Sequence, residues 1–152
     1  MTNRIDYRTA SPEGYQAFGR VSQYVKTCGL DPALIDLVWL RISQINGCAY
    51  CVDLHYRDAL KAGVDPRKIN SVITWREAPF FTDREQVALG WAESLTHLPA
   101  TGAPDADYQP LTGLFTEKEI ADLTFAVALM NAFNRLGVGF RQQPSLSTSV
   151  ST

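Results

Sequence analysis

A chain of 152 residues, 45% of them apolar, is long enough to bury one sizeable core and falls in the usual size range of one domain. Formal net charge is -2, with acidic and basic residues interspersed and no basic run, so composition offers no footprint for nucleic acid or anionic lipid. No stretch approaches the apolar length that spans a bilayer, the first residues carry no signal-peptide core, and the expected address is the cytoplasm.

Helix start signals then recur along the chain. "SPEGYQAFGRVSQYVKTCG" offers Ser11 as cap and Pro12 as first helical residue, with Tyr15, Phe18, Val21 and Val25 at helical spacing. "DPALIDLVWLRISQIN" repeats the device with Asp31 and Pro32. Asn46 and Gly47 interrupt the periodicity, and a third helix runs from there to "KAG", with Gly63 as its stop. "DPRKINSVITW" opens a fourth with Asp65 and Pro66. Capping boxes at Thr82 with Glu85 and at Thr116 with Glu119 open the last two. Sustained period-two alternation is missing, so the expected fold is all-α: a single-domain bundle of about six helices over residues 1–141. Residues 98–115, rich in Pro, Gly, Ala and Asp, read as a long surface loop, and the tail 142–152 as disordered.

Two of these helices, 32–45 and 117–136, are apolar on nearly every face and call for enclosure by neighbours. So short a chain would struggle to bury both, which leads us to expect a homo-oligomer.

The chemistry concentrates in "INGCAYCVDLH". Cysteines in a reducing compartment rarely form structural disulfides, and a close pair there is more often catalytic, redox-active or metal-binding. The Asn-Gly break puts Cys48 at the start of a helix and Cys51 at the end of its first turn, where the helix dipole and unpaired amides favour a thiolate. One turn on, His55 stacks with Cys51 and can take or supply a proton. Asp36, on the apolar helix before, is the expected partner that would fix the tautomer of His55. A zinc site would need more ligands: there is no second C-x-x-C, and the other histidine, His97, reads as a surface residue. No metal and no cofactor is therefore expected. Cys28 reads as a small buried hydrophobe, and Asn131, Asn134 and Arg135 as a structural network tying helix ends and partner chains together.

The stretch "LDPALIDLVWLRISQINGCAYCVDLHYRDALKAG" resembles the core of the alkylhydroperoxidase D-like (AhpD-like) proteins of the carboxymuconolactone decarboxylase superfamily. The similarity continues through "WREAPFFTDREQVALGWAESLT" and "NAFNRLGVGFR". The resemblance implies an all-helical fold, assembly into trimers or hexamers, and thiol-dependent reduction of a small-molecule hydroperoxide, with an external dithiol or thiol protein as reductant. Carried over by position, Cys51 is the residue that attacks peroxide, Cys48 resolves the sulfenic acid, and His55 relays protons. The family's relay glutamate, twelve residues before the first cysteine, is replaced by Asp36, whose shorter arm would call for a bridging water. A histidine that better characterised members carry between the cysteines is absent, its place taken by Ala49 and Tyr50. Helix-dipole reasoning alone favours Cys48 as nucleophile; the resemblance and the stacking with His55 favour Cys51. Two rival functions are an oligomeric redox sensor or binding protein with little turnover, and a lactone decarboxylase using general acid–base groups, whose relatives share the fold but do not use a C-x-x-C pair, so that its presence argues against them.

Overall fold

The computed structural model describes residues 2–145, and among them it forms nine α-helices, one 3-10 turn and no strand. In chain order these are α1 (Tyr7–Ala10), α2 (Pro12–Thr27), α3 (Pro32–Ile45), α4 (Ala49–Lys61), α5 (Pro66–Asn70), the 3-10 turn (Ser71–Thr74), α6 (Asp83–Thr96), α7 (Leu98–Thr101), α8 (Asp105–Thr112) and α9 (Glu117–Gly139). The caps expected from sequence hold these ends. Asp31 and Asp65 each accept the amide two residues on. Both capping boxes are closed, Thr82 with Glu85 and Thr116 with Glu119. Ser11 stands at the cap of α2, although its side chain makes no capping bond.

α3 is the axis of the fold, packed against α4, α6 and α9. Leu34, Ile35, Leu37, Val38, Trp39, Leu40, Ile42 and Ser43 are all buried, so the helix has no solvent face to speak of. At about 2 kcal/mol for each large apolar side chain removed from water, this one helix supplies a major part of the core's stabilisation. Trp39 satisfies its indole by donating to the Ala126 carbonyl of α9 at 2.9 Å. α9 buries Ile120, Leu123, Val127, Leu129 and Met130 but leaves Phe125 57% exposed.

Three expectations are corrected. The segment 98–115 is not a loop: it holds α7 and α8. Pro99 sits in the first turn of α7, where its missing N–H costs nothing, and α8 is anchored by fully buried Leu111 and by Ser94 Oγ donating to Asp107 at 2.6 Å. The helix opened by Asp65 is short, α5 passing into the 3-10 turn at Ser71. Of the apolar stripe on α2 Val25 is buried and Phe18 packs partly buried against the core, whereas Tyr15 faces a cavity and Val21 is exposed. From the segment expected to be disordered, Gln142 donates its amide to Gly137 O at 2.8 Å and accepts from the Tyr7 hydroxyl at 2.9 Å; residues 146–152 lie outside the described residues. No helix among the described residues is long and apolar enough to cross a membrane.

Candidate active site

The Asn46–Gly47 break between α3 and α4 sets the site. Gly47 adopts φ +67, a left-handed conformation that costs glycine little, and the chain turns there to bring the Cys48 amide onto the Ser43 carbonyl at 3.0 Å. Cys48 is the N-cap of α4, and its sulfur accepts the Cys51 amide at 3.3 Å. The two sulfurs are joined in a disulfide across a Cα–Cα distance of 5.3 Å. Both cysteines are buried.

Beneath the pair, α9 supplies two residues that sequence reading placed elsewhere or passed over. Gly137 lies so close that a Cβ built on it would be 2.8 Å from Cys48 Sγ and 3.5 Å from Cys51 Sγ. One turn earlier, Asn134, 1% exposed, accepts from Asn46 Nδ2 at 3.0 Å and donates to Ser43 Oγ at 3.1 Å. Asn131 also accepts from Asn46, at 3.0 Å, and donates to Thr96. The network expected of these asparagines therefore ties the end of α3 to α9 and holds the turn that leads into Cys48. Arg135 caps into it through the Asn131 carbonyl at 2.7 Å.

Cys51 and His55 line one cavity of about 210 Å³, walled by Trp39, Leu54, Met130 and Phe133 and by the phenols of Tyr7, Tyr15 and Tyr50. Cys48 is not among its lining residues. Burial pushes the Tyr7 hydroxyl above its ordinary pKa, so the phenol stays a proton donor, here to Gln142. His55 is 4% exposed, its ring 5.1 Å from that of Trp39. Asp36 stands on its other side: His55 Nδ1 and Asp36 Oδ1 are 3.6 Å apart, within ion-pair range but beyond a hydrogen bond, and Nδ1 is buried without a hydrogen-bond partner. Asp36 itself borders a second, more open cleft of about 270 Å³ with Ile35 and Asp58. Cys51 and His55 thus line the cavity, Asp36 lines the open cleft, and Lys26, Trp39 and Asp58 line both.

The four residues singled out in the sequence come together here. Gly137 and Asp58 were missed, and Asn134 was read as part of a structural network without its link to the turn before Cys48. Asp58 follows His55 by three residues, a spacing legible as one helix face, whereas Gly137 carries no local signal. His97 is exposed, and Cys28 is half-buried with its sulfur on the Val25 carbonyl at 3.1 Å.

These features define an all-helical AhpD-like fold carrying a Cys-x-x-Cys pair at the head of a helix. Residues 12–94 match the Carboxymuconolactone decarboxylase family, and the chain belongs to that family. Uncharacterized protein YdfG of Bacillus subtilis (strain 168) is 30% identical over 138 residues, 91% of this chain and 94% of its own. A solved structure from Agrobacterium tumefaciens, of unknown function and provisionally assigned as the antioxidant defence protein AhpD, superposes with a TM-score of 0.93 at 40% identity, covering 96% of this chain and 100% of that one. The debrominase Bmp8 shares the fold at a TM-score of 0.82 with 19% identity, over 91% of this chain and 74% of its own.

Proposed function

We propose that the protein is a thiol-dependent peroxidase that reduces small hydroperoxides at Cys51. The observation that carries this reading is the Cys48–Cys51 disulfide with only its Cys51 end on the cavity, beside a buried histidine. In the reduced protein the Cys51 thiolate attacks the terminal oxygen of ROOH. The O–O bond breaks, Cys51 becomes a sulfenic acid, and the departing RO⁻ takes a proton from His55 to leave as ROH. The Cys48 thiol then displaces water from the sulfenic acid and closes the disulfide. An external dithiol or thiol protein returns two electrons and two protons. Asp36 orients His55 and reloads it from the open cleft. Assembly of copies into a trimer or hexamer, and action in the cytoplasm, belong to the same reading. It is supported by the family and by the likeness to the Agrobacterium structure.

Steady-state hydroperoxide reduction with a dithiol donor tests it. Turnover in the wild type that falls to background in Cys51→Ser is the expected result. Stoichiometric oxidation with negligible turnover under any donor would instead mark a redox sensor. Activity that survives complete thiol alkylation would mark the lactone chemistry after which the family is named.

A further inference from the structure

We propose that Asp36, His55 and Asp58 form a binding site for one divalent transition-metal cation, separate from the two sulfurs. His55 and Asp58 stand three residues apart on α4 and share a face; Asp36 projects from α3, the helix packed against it. Helix bundles build metal sites from side chains on facing helices, and one class of them pairs a carboxylate and a histidine at this same spacing, in the order opposite to that of His55 and Asp58.

One ligand atom from each residue lies within 4.8 Å of the others. Ligands about 2.1 Å from a zinc ion at tetrahedral angles sit roughly 3.4 Å apart, so modest side-chain rotation closes the set. The carboxylates have that freedom, the side chains of Asp36 and Asp58 being 14% and 31% exposed, whereas the His55 side chain is 5% exposed and held.

The second observation is independent of the carboxylates. His55 Nδ1, the nitrogen on the Asp36 side, is fully buried with no hydrogen-bond partner. A buried ring nitrogen left in this way is costly unless something satisfies it, and a cation between Nδ1 and the two carboxylates does so. Entry is provided, since Asp36 and Asp58 both border the open cleft. Two exposed ammoniums face these two carboxylates: Lys26 lines the cleft, and Lys61 stands 3.8 Å from Asp58 Oδ1, an ion pair that a divalent cation would displace. An imidazole and two carboxylates without thiolate suit Zn²⁺, Co²⁺, Ni²⁺ or Mn²⁺ rather than a soft monovalent ion.

Such a cation takes the histidine nitrogen that the proposed proton relay uses, but its binding is measured without turnover. The test is calorimetric titration of the oxidised protein with Zn²⁺, the disulfide keeping both sulfurs out of reach. One ion per chain is expected, with affinity falling roughly tenfold or more in Asp58→Asn and in Asp36→Asn. Nitrogen-15 NMR of the wild type should show the His55 Nδ1 resonance moving on saturation. No saturable uptake, an Asp58→Asn titration equal to wild type, or a change confined to Nε2 would overturn the proposal. None of these outcomes depends on peroxide chemistry, so the two readings fail separately.

Discussion

Gly137 on α9 leaves the space into which the sulfur of Cys48 packs: a Cβ there would sit 2.8 Å from Sγ, closer than such contacts occur. In an ordinary helix interior, replacing glycine by alanine stabilises by about 1 kcal/mol. Here the methyl group meets a sulfur fixed by both the disulfide and the N-cap position, and relief of such overpacking costs about 1–3 kcal/mol. Gly137→Ala should therefore destabilise the oxidised protein. Denaturant midpoints of the two oxidised proteins check this, and a variant more stable than wild type would show that the pocket yields.

Asp36 approaches His55 to 3.6 Å without closing a hydrogen bond. Asp36→Asn keeps the shape and removes the charge that supports the proposed relay, and should lower kcat/KM for hydroperoxide by roughly ten- to a hundredfold, less than the loss of a general acid or base itself because Asp36 acts through His55. Asp36→Glu lengthens the arm by one methylene and should match or exceed the wild-type rate. Equal activity in all three would remove Asp36 from the mechanism.

Glu93 of α6 anchors a second polar cluster. It accepts from Arg41 Nε at 2.6 Å, Trp75 Nε1 at 3.0 Å and Arg76 Nη1 at 2.5 Å. Burial pushes its carboxyl pKa up, but the hydrogen bonds from Trp75, Arg41 and Arg76 outweigh burial and hold it below the ordinary glutamate value. A carboxyl whose folded value lies below its unfolded one contributes stability above about pH 4.5 and loses it as the pH falls through the folded value. Glu93→Gln should cost roughly 2–3 kcal/mol, less than a fully enclosed pair because Arg76 is 60% exposed, and should flatten the acid limb of a stability–pH profile. An unchanged acid limb would contradict this assignment.

How much of this was legible in the sequence depends on whether the signal was local. α3, α6 and α9 announce themselves by Asp31–Pro32 and by two capping boxes, and the Cys51–His55 stacking follows from a four-residue spacing. α7 and α8 do not, since each carries a proline and ends at a glycine, Gly102 or Gly113, and their stability comes from contacts such as Ser94 with Asp107 and Trp91 with Tyr108. Gly137 was invisible for the same reason, and Asn134 was legible as a network residue but not by its partner: what makes them matter is the sulfur pair and the Asn46 turn, brought to them only by the packing of α9. Helix-dipole reasoning alone points to Cys48, whereas it is Cys51 that lines the cavity, a contrast that only the packing of the helices reveals.

The most direct measurement is intact-protein mass spectrometry of reduced Cys48→Ser after one equivalent of hydroperoxide. The account predicts addition of a single oxygen, mapped to Cys51 as a sulfenic acid, whereas the reduced wild type under the same conditions loses two hydrogens and forms the Cys48–Cys51 disulfide. Oxygen appearing on Cys48 in the Cys51→Ser variant, with Cys51 inert in Cys48→Ser, would contradict it.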